Sequence, residues 1–248
     1  MKILGIIPAR YASTRFPAKP LADLGGLSMI NRVYAQAKKC DELSKVIVAT
    51  DHPKIFDHVT QFGGDVCMTA ESHVSGTDRC YEVLSKQSDL YDYVINIQGD
   101  EPFIAPEQIL LLASLLDGKT ELATLVKRIE SQSQLINPNV VKVVFSKTHE
   151  ALYFSRSPIP YWRGHEHDWV HHHQYYKHLG MYAYRTDVLA KITQLKVSAL
   201  ERAESLEQLR WLENGFTLKV AETTIETVGI DTPEDLEQAR QYLRINHD

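Results

Sequence analysis

Continuous apolar runs alternate with amphipathic segments along the first half of the chain. The runs contain no polar alternation, which is typical of strands buried on both faces of a parallel sheet. The segments between them place apolar residues at helical spacing. This pattern predicts an α/β fold with a mainly parallel sheet flanked by helices. The strands are predicted at 3–7, 45–50, 65–68 and 93–98, and the helices at 28–40, 53–63, 76–87 and 106–118.

The pattern changes after about residue 120, where strands follow one another with little helix between them. This indicates a mixed or antiparallel extension of the sheet. We expect one domain over 1–248 with an inserted subregion at about 121–200. Strands are predicted at 121–129, 140–146, 151–156, 178–185 and 216–223, and helices at 186–195, 201–215 and 231–244. The last helix carries a capping box, with Thr232 at the N-cap, Pro233 at N1 and Asp235 at N3.

Composition excludes several classes of protein. The chain has 248 residues, 44% of them hydrophobic, and a formal net charge of -5. The chain therefore has ordinary globular composition and no overall attraction for nucleic acid or an anionic membrane. No apolar run reaches the ~18 residues of a membrane span, and the N-terminal run is too short for a secretory signal, so we expect a cytoplasmic protein. Cys40, Cys67 and Cys80 form no C-x-x-C pair and are expected to be buried, reduced thiols.

The loop after the first strand concentrates positive charge. Arg10, Arg15 and Lys19 lie within PARYASTRFPAKP, residues 8–20, together with the hydroxyl of Ser13. Ligands of open α/β sheets bind at the carboxyl ends of strands, and the arginine fork fits phosphate oxygens. The loop therefore predicts a triphosphate pocket, with a solvated cationic turn as the alternative. The chain contains neither G-x-x-x-x-G-K-[ST] nor G-x-G-x-x-G, which argues against a P-loop ATPase and a nicotinamide dehydrogenase.

Two aspartates follow predicted strands at positions suited to a metal ion. Asp100 follows the strand 93–98, and Asp231 follows ETVGI and immediately precedes the final helix, where Thr232 is the better cap. Mg²⁺ prefers one or two carboxylates together with phosphate oxygens. The sequence therefore predicts that Asp100 and Asp231 hold Mg²⁺ beside the phosphate loop. Asp51, a third carboxylate at a strand end, is expected to be a turn or cap residue or a more distant participant.

Several motifs together resemble one enzyme family. They are PARYASTRFPAKPL, VATDHP, SGTDR, INIQGDEP, YFSRSPIP, KHLGMYAYR, LEQLRWLENG and GIDTPEDLE, spread from the first strand to the last helix. In this order they resemble the 3-deoxy-manno-octulosonate (Kdo) cytidylyltransferase, or CMP-Kdo synthetase, family. The resemblance implies a nucleotidyltransferase fold, a homodimer and an Mg²⁺-dependent reaction in which CTP and Kdo give CMP-Kdo and diphosphate. It also implies a role in lipopolysaccharide inner-core synthesis.

The resemblance also implies roles for individual residues. The catalytic set would be Arg10, Arg15, Lys19 and Asp100, and the metal ligands Asp100 and Asp231. Nucleotide binding would involve Pro8, Ala9, Arg10, Ser13, Arg15, Lys19, Ser75, Gly76, Arg79 and Gln98. The sugar would contact Gln98, Arg156, His178, Tyr182, Glu207 and Arg210.

Some of these residues have a purely structural alternative. Arg79 could form an ion pair with Glu82 on the surface of its helix. Either Tyr182 or Tyr184 could belong to the core, because both point to one face of a strand. Glu204 lies three residues before Glu207 on one predicted helical face, and it ranks behind Glu207 as a sugar ligand.

A histidine-rich stretch at 164–176 departs most from the family pattern. It contains five histidines with Glu166 and Asp168, but their spacing matches no compact set of metal ligands. A loop between the sugar pocket and the dimer region is the preferred interpretation, and a transition-metal site is the alternative. The departure leaves open an 8-amino analogue of Kdo or a sialic acid as the substrate. A nucleotide-binding regulator without catalysis is the alternative from another class of protein.

Overall fold

The computed structural model describes residues 1–12, 16–164 and 168–246. The strands in this part of the chain are β1 Ile3–Ala9, β2 Asp23–Leu24, β3 Leu27–Ser28, β4 Leu43–Thr50, β5 Val66–Met68, β6 Tyr93–Asn96, β7 Leu122–Arg128, β8 Lys142–Phe145, β9 Ala151–Ser155, β10 Tyr176–Arg185 and β11 Leu218–Glu222. The α-helices are α1 Met29–Ala37, α2 Pro53–Gln61, α3 Gly76–Ser85, α4 Pro106–Ala113, α5 Gln132–Ile136, α6 Trp169–His172, α7 Thr186–Ile192, α8 Ala199–Glu204, α9 Gln208–Glu213 and α10 Pro233–Asn246. A short 3₁₀ helix covers Lys19–Leu21.

The chain divides into two compact units, the first of which comprises Met1–Leu110 and Thr227–Asp248. Its parallel sheet has the order β6-β1-β4-β5. Ile6 in β1 pairs with Ile47 in β4 and with Asn96 in β6, so these three strands end at the same edge. The continuous apolar pattern of β1 arises because almost every residue of this central strand is buried. The loops after β1, β4 and β6 therefore leave the sheet side by side.

The second unit comprises Leu111–Glu226 and contains a mixed sheet. Its strand β7 pairs in parallel with β11 and antiparallel with β10, and β8 pairs antiparallel with both β9 and β10. This arrangement confirms the predicted mixed extension. The predicted subregion at about 121–200 lies within this unit.

The predicted single helix at 201–215 is wrong. The segment forms two short helices, because Ser205 after α8 adopts a left-handed conformation with φ of 53°. A left-handed residue ends a helix, and glycine is the usual residue at such a position. A serine gives no comparable signal in the sequence. As a result Glu204 is the last residue of α8 and Glu207 is the N-cap of α9, so the two do not share one helical face.

Smaller differences concern helix ends and the cysteines. Helix α4 ends at Ala113 rather than near Gly118, and the short helices α5 and α6 were not predicted. Cys40 and Cys80 are buried as expected, but Cys67 is only half-buried; all three thiols are free. Burial raises the pKa of the Cys40 and Cys67 thiols. Across the part of the chain that the structure describes, no helix has the length and apolar character to cross a membrane.

The final helix confirms the predicted capping box. The Asp235 backbone N–H donates to Thr232 Oγ1 at 3.2 Å, and the Thr232 backbone N–H donates to Asp235 Oδ2 at 2.9 Å. Asp235 Oδ2 also accepts from the Asp231 backbone N–H at 3.0 Å. The apolar face of α10 then packs in a cluster formed by Leu24, Met29, Ile230, Leu236, Ala239 and Leu243. The cap therefore fixes the backbone at the residue predicted to bind metal.

Candidate active site

A cavity of about 360 Å³ opens in the first unit, next to the carboxyl ends of β1 and β6. This is the edge at which open α/β sheets bind ligands. The lining comes from the loop after β1, the loop after β6 and the start of α3. The lining residues are Pro8, Ala9, Arg10, Ala12, Lys19, Pro20, Gly76, Arg79, Gln98, Gly99 and Asp100.

Lys19 contacts both predicted metal ligands, Asp100 after β6 and Asp231 just before α10; the expected strand immediately before Asp231 does not form, because residues 223–232 contain no strand. Its Nζ lies 2.9 Å from Asp100 Oδ2 and 3.2 Å from Asp231 Oδ1. The Lys19 side chain is 14% exposed, whereas Asp100 and Asp231 are 34% and 48% exposed. A backbone hydrogen bond of 2.9 Å from Ile230 N–H to the Asp100 carbonyl ties the two chain segments together. Both carboxylates are thus within hydrogen-bond distance of one nitrogen, at the edge of the cavity.

The two carboxylates suit a magnesium ion whose shell is completed by water and substrate better than they suit a metal site formed by protein ligands alone. Mg²⁺ is commonly held by one or two carboxylates, with water and substrate phosphate completing its octahedral shell. Among the described residues no group of three or more His, Cys, Asp or Glu side chains is arranged to hold a metal ion. Asp100 and Asp231 therefore suit an ion that arrives with a phosphate ligand.

Two glycines allow the chain to approach closely around the cavity. A Cβ atom on Gly99 would lie 2.5 Å from the Pro8 carbonyl oxygen, which is closer than real Cβ atoms come. A Cβ atom on Gly76 would lie 3.3 Å from Asn96 Nδ2. Because Gly99 has no side chain, the loop after β6 can pass directly against the end of β1. This contact brings Asp100 to the phosphate loop.

The segment predicted to read the base begins at the N-terminus of α3. The Ser75 hydroxyl caps this helix: it accepts from Asp78 N–H at 3.1 Å and donates to Asp78 Oδ2 at 2.9 Å. Within the described residues, the cavity lining includes Gly76 and Arg79 but not Ser75. The hydroxyl of Ser75 therefore serves the helix, and the backbone of Gly76 is the part of this turn that faces the cavity.

Arg79 is fully buried, so the alternative of a surface ion pair with Glu82 is wrong. Its Nη2 lies 2.5 Å from Asp51 Oδ2, and the two side chains are 1% and 8% exposed. Glu82 instead accepts from His73 Nε2 at 2.5 Å and from Lys86 Nζ at 2.6 Å. Burial alone would raise the pKa of Glu82, but the hydrogen bonds from Lys86, the Ala70 N–H and His73 outweigh it and lower the pKa to about 2. Asp51 is thus the counter-ion of Arg79, which its position after β4 did not indicate.

In the second unit, His178 and Tyr182 lie together on β10. The His178 ring packs edge-on against Phe154, 5.1 Å between centroids, and its Nε2 lies 3.0 Å from Thr124 Oγ1. Although His178 as a whole residue is only half-buried, desolvation lowers its pKa to about 3. Burial, followed by the charges of Tyr184 and Glu207, raises the pKa of Tyr182 well above its usual value. At neutral pH the pair offers an uncharged imidazole and a protonated phenol.

Tyr184 is the core member of the tyrosine pair. It is fully buried, whereas Tyr182 keeps partial exposure. Both rings pack edge-on against the buried Trp211, with centroids at 5.1 Å for Tyr182 and 5.8 Å for Tyr184. Of the two residues, Tyr182 is therefore the one available to a ligand.

The two arginines predicted to bind sugar are held by protein oxygens. Arg156 donates from Nε to the Glu204 carbonyl at 2.6 Å and from Nη1 to the Pro138 carbonyl at 3.0 Å. Arg210 forms a bidentate pair with Glu201, with contacts of 2.7 and 2.5 Å. Burial alone would raise the pKa of Glu201, but the hydrogen bonds from Arg210 outweigh it and lower the pKa. In this structure both guanidinium groups stabilise the framework of the second unit.

Some predicted residues lie outside the described part of the chain. These are Ser13 and Arg15 of the phosphate loop and residues 165–167 of the histidine-rich stretch. The rest of that stretch is not simply a loop, because Trp169–His172 forms α6. Asp168 contacts His171 Nδ1 and lies 3.8 Å from His172 Nε2. His171 and His172 are therefore paired with a neighbouring carboxylate, whereas His173 stacks on Trp162 with a centroid distance of 5.4 Å.

Comparison with known proteins places the chain in a family. A family model described as cytidylyltransferase matches residues 4–225. A 3-deoxy-manno-octulosonate cytidylyltransferase of Cytophaga hutchinsonii is 56% identical over 249 residues, covering 100% of this chain and 97% of its own. A protein of the same name from Parabacteroides distasonis is 58% identical, with 98% of each chain covered. The chain belongs to the 3-deoxy-manno-octulosonate cytidylyltransferase family.

A solved structure supports the same family at the level of the fold. A CMP:2-keto-3-deoxy-manno-octonic acid synthetase complexed with CTP superposes with a TM-score of 0.92 and 43% sequence identity. The alignment covers 99% of this chain and 100% of the other. The α/β nucleotidyltransferase fold predicted from the sequence is therefore confirmed. This protein therefore spans nearly the whole length of the solved synthetase.

The role of Asp51 as the counter-ion of Arg79 was not predicted from the sequence. The position of Asp51 in VATDHP, directly after β4, marks it as a carboxylate at a strand end. Its partner, Arg79, follows 28 residues later, and no local spacing connects the two. The Asp51–Arg79 ion pair becomes evident only from the structure, in which β4 packs beside α3.

Proposed function

We propose that this protein transfers CMP from CTP to Kdo and releases diphosphate. Two relatives named for this activity are more than half identical to it in sequence over nearly its full length. The observation that carries the proposal is the placement of Lys19 between Asp100 and Asp231, beside a cavity that Arg10 also lines. Cations for a polyphosphate and carboxylates for a divalent ion therefore occur together, at the strand ends where a nucleotide is expected.

The reaction requires an in-line displacement at phosphorus. The anomeric hydroxyl oxygen of Kdo forms a bond to the α-phosphorus of CTP, the bond from this phosphorus to the bridging oxygen breaks, and diphosphate leaves with that oxygen. The hydroxyl proton is lost to solvent or base. Arg10 and Lys19 stabilise the negative charge that shifts onto the phosphate oxygens, and each such contact contributes about 2–4 kcal/mol in the transition state. Arg15 and Ser13 remain predicted members of this loop.

Asp100 and Asp231 would hold Mg²⁺ together with phosphate oxygens. When bound, the ion would polarise the phosphate and make the attacking hydroxyl more acidic. In the protein alone, the Lys19 ammonium holds the two carboxylates close together. The backbone bond between Ile230 and Asp100, and the cap at Asp235, keep the pair in place. The chain thus preorganises the two ligands before nucleotide arrives.

Base and sugar recognition complete the proposal. The backbone of Gly76 and the guanidinium of Arg79 would border the cytosine, with Ser75 keeping the helix start in place. In the second unit the sugar would contact His178, Tyr182 and Glu207, where an uncharged imidazole and a protonated phenol can hydrogen-bond hydroxyl groups. Arg156 and Arg210 would support sugar binding indirectly, because their guanidinium groups stabilise the framework of the second unit.

Product formation with a panel of acid sugars tests the proposed substrate. Diphosphate release would be measured with CTP and Mg²⁺ in the presence of Kdo, 8-amino-Kdo or sialic acid. We expect turnover with Kdo and none with sialic acid. Turnover with the 8-amino sugar in preference to Kdo would reassign the substrate, and turnover with sialic acid alone would contradict the proposal.

Substitution of Asp100 separates an enzyme from a nucleotide-binding regulator. Asp100→Asn should largely spare CTP binding measured without metal, because the Lys19 and Arg10 cations remain. Turnover should fall by at least about 100-fold, since an amide is a poor ligand for Mg²⁺. Asp89→Asn, on an exposed loop, is the matched control. Full turnover by Asp100→Asn would remove the metal role from this residue.

We extend the proposal to the setting of the reaction. The enzyme would be a homodimer in the cytoplasm, and its product would enter lipopolysaccharide inner-core synthesis. Light scattering of the purified protein across a range of concentrations tests the dimer. A mass of 28.3 kDa, that of one chain, at every concentration would contradict it.

A further inference from the structure

Asp51 contacts two separate segments that line the cavity, although it is not itself a lining residue. It directly follows β4 and is 8% exposed. Its Oδ2 accepts from Arg79 Nη2 at 2.5 Å, and its Oδ1 accepts from the Tyr11 backbone N–H at 3.3 Å. Tyr11 stands between Arg10 and Ala12, which both line the cavity. One carboxylate therefore bridges the phosphate loop and α3.

The turn after β4 and the start of α2 hold Tyr11 by three further contacts, one of them a hydrogen bond of 3.5 Å from Lys54 Nζ to the Tyr11 hydroxyl. The His52 ring stacks on the Tyr11 ring with a centroid distance of 3.8 Å and an interplanar angle of 12°. Lys54 Nζ lies 5.5 Å from the centroid of the same ring, within the range of a cation–π contact. His52 also caps α2, since its Nδ1 accepts from the Lys54 N–H at 3.2 Å. This helix and turn thus fix the backbone of the phosphate loop at Tyr11.

The guanidinium of Arg79 is fixed from its other side by the strand β5 region. Its Nη1 donates to Thr69 Oγ1 at 2.7 Å and to the Ala70 carbonyl at 3.3 Å. Thr69 Oγ1 in turn donates to the Thr50 carbonyl at 3.1 Å, immediately before Asp51. Arg79 Nε is buried and has no partner within residues 1–12, 16–164 and 168–246. Asp51 supplies the carboxylate that neutralises this buried cation.

We infer that Asp51 is a positioning residue for CTP, which sets the phosphate loop and the base-reading Arg79 relative to each other. This inference rests on the proposed function. A buried carboxylate shared by a backbone N–H and a guanidinium has little freedom, so the two segments keep one spacing. Removing its charge leaves Arg79 as an uncompensated buried cation, which must move or take up water. Either change alters the spacing between the groups that hold the base and the triphosphate.

Asp51→Asn tests the inference, because asparagine keeps the size of the side chain and removes its charge. CTP binding would be measured by calorimetry without metal, and steady-state rates would be measured with each substrate varied in turn. We expect the Kd for CTP to rise about tenfold, consistent with loss of one charged hydrogen bond. The KM for Kdo should stay within about twofold of the wild-type value.

Glu201→Gln is the control for a general loss of stability. Glu201 forms the comparable part-buried pair with Arg210 in the second unit, where the two side chains are 13% and 11% exposed. This variant should lose similar thermal stability without raising the Kd for CTP. A rise in the Kd for CTP as large as that of Asp51→Asn would assign the effect to stability and overturn the inference.

A double variant keeps the test decisive if Asp51→Asn folds poorly. Asp51→Asn with Arg79→Gln removes both charges, so the buried pair becomes neutral. If the two residues act as one unit, the double variant should bind CTP no more weakly than the weaker single variant. Wild-type affinity in a folded Asp51→Asn protein, or fully additive losses, would overturn the inference. If the wild-type protein itself fails to turn over CTP with Kdo, the proposed function is what fails.

Discussion

At Lys19, one ammonium group contacts two carboxylates that would otherwise repel each other. Most surface lysines contribute little, because water screens their charge and the long side chain loses entropy when it is held. Lys19 differs because it is 14% exposed and begins a short 3₁₀ helix that fixes its backbone. Its charge therefore acts at one defined place, beside Asp100 and Asp231. Bound triphosphate would add a third negative group within its reach.

Lys19→Met should lower kcat strongly, because methionine nearly keeps the length of the lysine side chain and removes its charge. We expect a loss of about 100- to 1000-fold, the usual effect of removing one contact that stabilises a transition state. Diphosphate release under saturating CTP and Kdo measures it. Lys39→Met, at an exposed site after α1, is the control. If kcat of Lys19→Met stayed within threefold of wild type, Lys19 would have no catalytic role.

His178 makes folding sensitive to acid, because burial lowers its pKa to about 3 in the native state. The unfolded chain binds the proton near pH 6.5, so stability is lost as the pH falls from about 6.5 towards 3. Between pH 7.5 and 5.0 this residue alone should cost about 2 kcal/mol. Over the same pH interval, the free energy of unfolding of His178→Gln should fall by about 2 kcal/mol less than that of the wild type, as measured by urea titration. The exposed His149→Asn should behave like wild type, and an equal acid loss in His178→Gln would contradict the assignment.

At the scale of elements, the cap of α10 links helix stability to the position of Asp231. Thr232→Ala removes the hydroxyl that accepts the Asp235 N–H, and it should lower the free energy of unfolding by about 1 kcal/mol. Thr232→Ser keeps the hydroxyl and should stay close to wild type. Urea unfolding followed by circular dichroism measures the difference. Equal stability of the alanine and serine variants would show that this cap contributes nothing.

Apolar periodicity predicted the parallel strands well, because burial on both faces leaves an unbroken apolar run. The capping box of α10 was predictable from local sequence, because each of its hydrogen bonds joins residues no more than four positions apart. The break between α8 and α9 was missed because a left-handed serine has no sequence signature. It takes its conformation from its surroundings: Leu206 next to it is 7% exposed, and the Ser205 carbonyl accepts from Arg156 Nη2 at 3.4 Å.

At the scale of the whole molecule, chemical groups from distant parts of the sequence meet in the first unit. Lys19 and Asp231 are 212 residues apart in the chain, yet they form an ion pair. The approach of Lys19 to Asp100 was foreseeable because they follow the neighbouring parallel strands β1 and β6. Asp231 instead reaches this edge just before α10, where the backbone N–H of Ile230 donates to the Asp100 carbonyl at 2.9 Å. The pairing of Asp51 with Arg79 was not foreseeable, because it depends on which side chain of α3 faces β4. The sequence therefore predicted the edge of the site better than its internal contacts.

The division into two units predicts where nucleotide alone should protect the backbone. Among the residues that the structure describes, those lining the cavity all belong to Met1–Leu110, so CTP without sugar should slow amide exchange at 8–12, 76–79 and 98–100. Strands β8 and β9 of the second unit should exchange as they do in the free protein. At 100 times its Kd, CTP stabilises a binding unit by about 2.7 kcal/mol, which is large enough to detect by hydrogen exchange and mass spectrometry. UTP at the same concentration is the control for base recognition and should protect 76–79 less. Protection by CTP that is equal at β8, β9 and the cavity would place the nucleotide site elsewhere.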